Sequence, residues 1–295
     1  MRRIVVTGAN KGIGLAIATA ILAEHEDTFV FLGARDAALG TAAIEGLVRQ
    51  QSRWRDRLRL LELDVASDAS VAAAAQKLVD TLTRDQARLY ALVNNAGIGF
   101  PAGDIAAVLN VNILGVRRVC DALRPLLDPA AGRIVNIGSA AGPNFVQTCS
   151  PERRRFFVDP EVDWPSLRAL IDDCIATGSD KAAFAEKGLG NGEPYGLSKA
   201  CLHSYTMLLA RTHPRLRIHA CSPGFIETDL TRRYAEMQGK PPAELGMKPP
   251  SAGARAPMFL LFGDPEGNGR YYGSDAVRSP LDRYRSPGDP PYLGD

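Results

Sequence analysis

Three glycines stand in the turn that follows the first apolar run of the chain, in the stretch VVTGANKGIGLAIA. Gly8, Gly12 and Gly14 separate a predicted strand from a predicted helix. Glycines at such a turn let the backbone pass close to a pyrophosphate, while the helix N-terminus offers N–H groups and a favourable dipole to the anion. The stretch therefore predicts a dinucleotide-binding strand-turn-helix unit.

Short apolar runs alternate with helical patterns along most of the chain. The helical patterns, such as VAAAAQKLVDTL, repeat apolar residues with the period of an α-helix. The strand candidates span residues 3–8, 29–34, 58–65, 89–97, 132–139 and 216–224, with a seventh candidate at 269–273. This alternation predicts right-handed crossovers and a parallel sheet covered on both faces. The predicted fold class is α/β, a Rossmann-type doubly wound sheet of about seven strands.

The domain organisation follows from the same rhythm. Because no internal repeat or interdomain linker interrupts it, residues 1–279 are predicted to form a single domain. Residues 140–194 depart from the alternation and are interpreted as a helical insertion. The tail, residues 280–295, contains four prolines, which exclude a helix and predict an irregular segment that is loosely attached or disordered.

Composition limits the classes of partner. Lys and Arg number 35 against 33 Asp and Glu, so the net charge of +2 gives no reason to expect nucleic acid or a membrane. The five cysteines are scattered and never form a Cys-x-x-Cys motif, so neither disulfides nor a metal site is predicted. The chain enters a strand at about Ile4, without a signal-peptide pattern, and has no transmembrane stretch. A cytoplasmic protein acting on a small molecule is predicted.

Tyr195 and Lys199 lie four residues apart in the stretch GNGEPYGLSKA, so they share one face of a predicted helix. Taken alone, the pair is better explained as an aromatic residue and a solvated cation. The pair gains meaning only with partners elsewhere in the chain. The candidates are Ser139, which ends the strand IVNIGS, and Asn112 in VNILG.

Further motifs follow in a defined order. LELDV ends the third strand, NNAG at residues 94–97 ends the fourth, and SPGFIET follows the sixth. With the T-G-x-x-x-G-x-G turn and YGLSK, these motifs resemble the short-chain dehydrogenase/reductase family over residues 4–230. The segment between Ser139 and Tyr195 is 55 residues long and contains CSPERRRF. In this respect the chain is similar to the monomeric carbonyl reductase-like subgroup and to plant salutaridine and menthone reductases.

The resemblance implies a reaction in which NADPH delivers a hydride to a carbonyl carbon. In the family, the equivalent of Ser139 polarises the carbonyl oxygen and that of Tyr195 supplies its proton. A free phenol has a pKa near ~10, and the resemblance implies that Lys199 lowers this pKa and holds the nicotinamide ribose. Asn112 would hold a water molecule that relays the proton to solvent.

The resemblance also implies a cofactor site. It comprises Gly8, Asn10, Lys11, Gly12, Ile13, Gly14, Arg35, Asp64, Val65, Asn94, Ala96, Gly97, Tyr195, Lys199, Pro223, Gly224, Ile226 and Thr228. Enzymes that use NAD carry an acidic residue at the end of the second strand for the ribose 2′-OH. Arg35 stands there instead and, with Lys11, suits a 2′-phosphate, so NADP(H) is predicted. Asp36 is the alternative, since it could serve the 2′-OH if the register were shifted by one residue.

The insertion bears on oligomeric state and substrate. Its stretch WPSLRALIDDC sets Trp164, Leu167, Ile171 and Cys174 at helical spacing, which predicts an amphipathic helix covering apolar surface. In tetrameric family members the Tyr/Lys helix packs in an interface, which such a helix would block, so a monomer is predicted. The substrate is expected to contact the loop at about 229–250 and four side chains: Ala140, Ala141, Phe145 and Phe225.

Three functions remain open from the sequence. The leading one is an NADPH-dependent carbonyl reductase that converts a ketone, aldehyde or quinone to an alcohol or hydroquinone. An NADP-dependent secondary-alcohol dehydrogenase of specialised metabolism would use the same residues in reverse. A non-catalytic NADP-binding sensor would be expected to lack Tyr or Lys, and Tyr195 and Lys199 are both present.

Overall fold

The computed structural model describes residues 1–99 and 104–294. Its centre is an eight-stranded sheet in the order β3-β2-β1-β4-β5-β6-β7-β8. The strands are β1 (Arg2–Val6), β2 (Thr28–Ala34), β3 (Leu58–Glu62), β4 (Leu89–Asn94), β5 (Arg133–Ile137), β6 (Arg217–Cys221), β7 (Tyr271–Tyr272) and β8 (Arg278–Ser279). Neighbouring strands are parallel except β7 and β8. The predicted α/β class and doubly wound parallel sheet are confirmed.

The sheet has one strand more than the sequence indicated. Strand β8 pairs antiparallel with β7, with Tyr271 opposite Ser279 and Tyr272 opposite Arg278. A two-residue strand is too short to show the alternation of apolar and polar side chains that identifies strands in a sequence. A tight turn, in which Gly273 N–H donates to the carbonyl of Val277 at 2.8 Å, makes this antiparallel return possible.

Helices cover both faces of the sheet. They are α1 (Gly12–Glu24), α2 (Ala37–Gln50), α3 (Asp68–Arg84), α4 (Ile105–Leu109), α5 (Val116–Leu123), α6 (Ala141–Thr148), α7 (Pro151–Val158), α8 (Trp164–Thr177), α9 (Lys181–Glu186), α10 (Pro194–Thr212), α11 (Asp229–Gln238) and α12 (Arg255–Phe262). In β1, Ile4 and Val6 join the core beneath α1, α2 and α12, whereas Val5 joins the core beneath α3, α5 and α10. Successive side chains of a strand point to opposite faces, which explains why these central strands are apolar throughout.

The segment between the fifth strand and α10 is helical, as predicted. It forms α6 to α9, and α8 buries one face made of Leu167, Leu170, Ile171 and Cys174. Trp164 packs edge-on against Tyr205 of α10, with ring centroids 5.7 Å apart. The predicted amphipathic helix therefore exists, and the surface that it covers belongs to α10 and its neighbours.

The C-terminal tail is irregular but firmly attached. Residues 280–294 contain no helix or strand, in keeping with their prolines. Arg285 and Asp275 nevertheless form an ion pair at 2.5 Å, with side chains only 6% and 14% exposed. The expectation of a loosely attached tail is not met, because prolines exclude a helix without preventing a buried side chain from fixing the segment.

Two further observations concern the described residues alone. None of their helices is long and apolar enough to cross a membrane. All five cysteines are buried and free, and no group of three or more His, Cys, Asp or Glu side chains in this part of the chain could hold a metal ion.

Candidate active site

The carboxyl ends of β1, β4, β5 and β6 meet at one edge of the sheet. Ligands of open α/β sheets bind outside this edge. The glycine turn follows β1, residues 94–97 follow β4, Ser139 follows β5, and residues 222–228 follow β6. The motifs that are scattered in the sequence therefore converge on one crevice.

The glycine turn is locked against the segment after β4. A Cβ added to Gly8, whose φ is +61°, would lie 2.9 Å from Cα of Ala96, so only glycine fits there. Thr7 Oγ1 accepts hydrogen bonds from the N–H groups of Asn95 and Ala96, each at 3.0 Å. Asn95 Nδ2 donates in return to the carbonyls of Thr7 at 2.9 Å and Gly8 at 3.0 Å. Sequence-based prediction missed Thr7 and Asn95, although both lie inside the quoted motifs.

Asn94 faces the interior of the molecule. Its Nδ2 donates to Oδ1 of Asn136 at 2.8 Å, and Asn136 Nδ2 donates to Thr206 Oγ1 at 2.9 Å. This buried chain of amides joins β4 and β5 to α10. The Asn94 side chain therefore holds together the elements that carry the site.

The end of β2 separates the roles of two neighbouring residues. Asp36 is the N-cap of α2, with Oδ1 accepting the N–H of Leu39 at 2.9 Å. Arg35 is exposed and makes no side-chain hydrogen bond or ion pair with any residue that the structure describes. The carboxylate that was the alternative for the ribose 2′-OH is engaged as a helix cap, and the guanidinium is free.

Lys11 connects the glycine turn to the loop after β6. Its Nζ lies 2.5 Å from Oδ2 of Asp229, the first residue of α11, and both side chains are exposed. Thr228 caps α11, and its methyl group would lie 3.5 Å from a Cβ added to Gly12. The predicted phosphate loop and the predicted substrate loop are thus in direct contact.

Other predicted cofactor residues fall on the same crevice. Distances from an ideal Cβ built on two glycines show which of these residues lie together. A Cβ on Gly253 would lie 3.2 Å from side-chain atoms of both Ile13 and Ile226 and 3.5 Å from Pro223. A Cβ on Gly97 would lie 3.3 Å from Asn112 Oδ1 and 3.7 Å from Lys199 Nζ. Asp64 and Val65 follow β3. Asp64 Oδ1 accepts the N–H of Ala66, and the Val65 carbonyl accepts a hydrogen bond from Arg118. Asn10 lies in the glycine turn, and Gly224 lies in the turn after β6.

Asn112 lies in an irregular turn that the sequence did not indicate. Residues Asn110–Gly115 form a π-helical turn between α4 and α5, a feature frequent at functional sites. The side chain is fully buried and held at both ends. Oδ1 accepts the N–H of Ile98 at 2.9 Å, while Nδ2 donates to the Ile98 carbonyl at 2.8 Å and to Ser198 Oγ at 3.0 Å. Asn112 therefore ties the turn to the strand end and to the helix that carries Tyr195.

Tyr195 and Lys199 lie at the start of α10, one turn apart. The helix begins at Pro194, and the carboxylate of Glu193 accepts the N–H groups of Tyr195 at 2.9 Å and Gly196 at 2.5 Å. Lys199 Nζ donates to the carbonyl of Ile137 at 2.9 Å and lies 5.5 Å from the centroid of the Tyr195 ring. Glu193 therefore fixes the first turn of α10, and the carbonyl of Ile137 fixes the direction of the Lys199 side chain.

Burial controls the charges of this pair. It lowers the pKa of Lys199 to about 8. It raises the pKa of Tyr195, an effect that the hydroxyl of Ser139 partly offsets. The predicted lowering of the Tyr195 pKa by Lys199 is not observed, because the ammonium is directed at the Ile137 carbonyl and burial dominates. At neutral pH the phenol is protonated and able to donate.

A cavity of about 430 Å³ opens beside Ser139. It is lined by Ser139, Ala140, Pro143, Ser222, Pro223, Gly224, Phe225, Gly246, Lys248, Ala252, Arg255, Tyr271, Gly273, Ser274, Ser279, Tyr284, Arg285 and Pro287. Ala140 and Phe225 were predicted substrate contacts. Phe145 and Ala141 were also predicted but do not line the cavity. Phe145 packs edge-on against Phe157 in the core, and Ala141 lies in the first turn of α6. The part of the cavity wall that the C-terminal tail forms, through Tyr284, Arg285 and Pro287, was not predicted.

Comparison with known proteins agrees with this geometry. The family described as short chain dehydrogenase matches residues 2–150, half of the chain. The chain belongs to the short-chain dehydrogenase family.

Curated proteins resemble the chain over most of its length. Carbonyl reductase 1 (NADPH) of Mus musculus is 31% identical over 277 residues, which cover 90% of this chain and 92% of the relative. Carbonyl reductase 3 (NADPH) of Rattus norvegicus is 33% identical over 268 residues, covering 84% of this chain and 91% of the relative. The similarity therefore extends through the insertion and the loop after β6.

Two solved structures share the architecture. Menthone neomenthol reductase from Mentha piperita superimposes with a TM-score of 0.72 at 26% identity, covering 92% of this chain and 98% of the other. Salutaridine reductase from Papaver somniferum gives a TM-score of 0.73 at 23% identity, covering 92% and 99%. The similarity to salutaridine reductase shows that the two proteins share a fold.

The buried lysine of this short-chain dehydrogenase should impose a pH limit. Because burial lowers the pKa of Lys199 to about 8, its ammonium is lost as the pH rises through that value. We expect kcat/KM for NADPH, which reports groups of the free enzyme, to fall above a pH of about 8. The Lys199→Arg variant keeps its charge, so its residual activity should not show this decline. A wild-type profile that stays flat to high pH would contradict the assignment.

The cap of α10 should matter for stability and for rate. Glu193→Ala removes the acceptor of two N–H groups at the helix start, a loss of about 1 kcal/mol. We expect the melting temperature to fall by about 2 to 4 °C, together with a modest loss of kcat. Glu193→Gln, which keeps an acceptor oxygen, should lie between wild type and Glu193→Ala in thermal melts. Equal melting temperatures for all three proteins would disprove the capping role.

Proposed function

We infer that this protein is an NADPH-dependent carbonyl reductase, which reduces a ketone, aldehyde or quinone to an alcohol or hydroquinone. The observation that carries this inference is the position of Ser139. Ser139 lines the cavity, and its hydroxyl partly offsets the rise that burial causes in the pKa of Tyr195, so a polarising hydroxyl lies beside a proton donor. Curated relatives named as NADPH carbonyl reductases support the same reaction.

The side chains divide the chemistry. NADPH, when bound, supplies the hydride. Ser139 donates a hydrogen bond to the carbonyl oxygen, where negative charge grows in the transition state. Tyr195 transfers its proton to that oxygen, since its phenol is protonated at neutral pH. Lys199 provides the buried cation beside the phenol, and Asn112 fixes the adjoining turn.

The cofactor site fits NADP(H). Gly8 and Gly14 are packed so closely that an added Cβ would come within 3 Å of neighbouring backbone atoms, which fixes the tight turn between β1 and the N-terminus of α1, where a pyrophosphate can bind. Arg35 is free for the 2′-phosphate, whereas Asp36 is engaged as a cap. Lys199 would hold the nicotinamide ribose.

We further propose that residues 1–279 act as one NADP-binding unit in a cytoplasmic monomer. Helix α8 contacts α10, so it covers the helix face that carries the interface in tetrameric relatives. The free cysteines are those of a reducing compartment. Light scattering should give a mass near that of one 31.7 kDa chain, and a mass near four chains would overturn the proposal.

A screen for NADPH consumption tests the function. Quinones, aromatic ketones, aldehydes, monoterpene ketones and alkaloid ketones are incubated with the protein, and the loss of NADPH absorbance is followed. We expect at least one carbonyl class to be reduced at a rate that requires Tyr195. If no class is reduced while NADPH still binds, the non-catalytic sensor becomes the better description.

A further inference from the structure

The cavity beside Ser139 has a one-sided charge. Three cationic residues line it: Lys248, Arg255 and Arg285. None of the described residues in its lining is acidic. The remaining polar groups are hydroxyls, from Ser139, Ser222, Tyr271, Ser274, Ser279 and Tyr284. A cleft lined by charges of one sign raises the local concentration of ligands of the opposite sign.

Arg285 does not supply this charge to a ligand. Its guanidinium is bound to Asp275 at 2.5 Å and also donates to Ser279 Oγ at 2.9 Å and to the carbonyl of Asp289 at 2.6 Å. Its charge is neutralised by a nearly buried carboxylate. Arg285 therefore fixes the tail, so that Tyr284 and Pro287 form the outer wall of the cavity.

Lys248 and Arg255 are different, because their charges are uncompensated. Both side chains are exposed at the cavity and make no hydrogen bond or ion pair with the part of the chain that the structure describes. Lys248 is nevertheless held in place through its backbone. Its N–H donates to the carbonyl of Phe225, and its carbonyl accepts from Glu227, each at 2.8 Å. Arg255 is the first residue of α12 and is positioned by that helix.

We propose that this cavity selects carbonyl substrates that also carry an anionic group, such as a carboxylate. The carbonyl lies at Ser139, and the anionic group pairs with Lys248 and Arg255. The volume of about 430 Å³ is sufficient for a substrate with both ends. This inference rests on the proposed reductase function and specifies its substrate class.

Two aldehydes of similar shape test the proposal. The probes are 4-formylbenzoate, which is anionic, and 4-formylbenzamide, which is neutral, both assayed at saturating NADPH. For Lys248→Met and Arg255→Gln we expect kcat/KM for the benzoate, relative to that for the benzamide, to fall about fivefold, as for a partly exposed ion pair. Lys77→Met is the matched control, since Lys77 is exposed on α3 and does not line the cavity. Its ratio should equal that of wild type, and the wild-type preference should weaken as salt is added.

The outcomes separate this proposal from the function on which it rests. An unchanged ratio in both variants, with carbonyl reduction intact, overturns the substrate class alone. An equal loss for both probes, with a raised KM for NADPH, would assign the two cations to the cofactor and also overturns it. If only quinones are reduced, the two aldehydes are compared as competitive inhibitors, and the same fivefold change in the ratio of inhibition constants is expected. Absence of any carbonyl reduction by wild type refutes the reductase function itself.

Discussion

Replacing Tyr195 with phenylalanine is expected to lower kcat for carbonyl reduction by about 10²- to 10⁴-fold, the usual contribution of a general acid. In the proposed reaction the phenol hydroxyl donates the proton, whereas the ring only packs near Lys199. The variant retains that ring, so the dissociation constant of NADPH should change little. Steady-state rates and NADPH fluorescence titration measure the two quantities separately.

Tyr205→Phe is the matched control for this substitution. Tyr205 lies on the same helix, is almost fully buried, and packs against Trp164 outside the cavity. Removal of its hydroxyl should leave kcat within a small factor of wild type. Lys199→Ala should differ from both variants by weakening turnover and NADPH binding together. Turnover near the wild-type rate in Tyr195→Phe would remove Tyr195 from the proton-donor role.

Replacing Arg35 with alanine is expected to raise KM for NADPH by about ten- to a hundredfold while leaving KM for NADH unchanged. The free guanidinium at the end of β2 can meet a 2′-phosphate through two parallel, charge-assisted hydrogen bonds. Because Arg35 is exposed, we expect the loss of both bonds together to cost about 1.5 to 3 kcal/mol. NADH has no such phosphate and loses nothing. Michaelis constants for both cofactors, measured with one carbonyl substrate, give the comparison.

Asp36→Ala distinguishes cofactor choice from a general disturbance of this region. Asp36 caps α2 through the N–H of Leu39, so its loss should cost about 1 kcal/mol of stability. The ratio of the two Michaelis constants should stay as in wild type. If Asp36→Ala alters that ratio and Arg35→Ala does not, the 2′-phosphate assignment is wrong.

Local patterns predicted much of the fold and of the catalytic group. The glycine turn, Ser139 and the Tyr195/Lys199 pair each have a sequence signature, because each needs particular residue types at a particular spacing. The amphipathic pattern of α8 was also predicted, since a helix that buries one face repeats apolar residues with the helical period. Strand β8 was not predicted, because two residues are too few to show a periodic pattern.

Side-chain direction was the main source of error at the site. Asn94 was predicted as a cofactor residue because NNAG resembles the family motif, and Phe145 as a wall of the substrate pocket, yet both side chains turn inward. Asn94 joins two strands through Asn136, and Phe145 packs on Phe157. Which way a strand-end or helix side chain points depends on neighbours that are distant in the sequence. The direction of the Tyr195 pKa shift failed for the same reason, since burial is a property of the assembled structure.

The sequence by itself determined the α/β class, the order of the motifs, and the chemical groups available for hydride transfer. These three features depend on residue types and on their spacing along the chain, both of which can be taken directly from the sequence. Only the tertiary structure decided that Asp36 is occupied as a cap, that Arg285 anchors the tail through Asp275, and that Lys248 and Arg255 share one cavity. These results depend on which groups satisfy one another's charges and hydrogen bonds across long sequence distances, and folding alone brings such groups together.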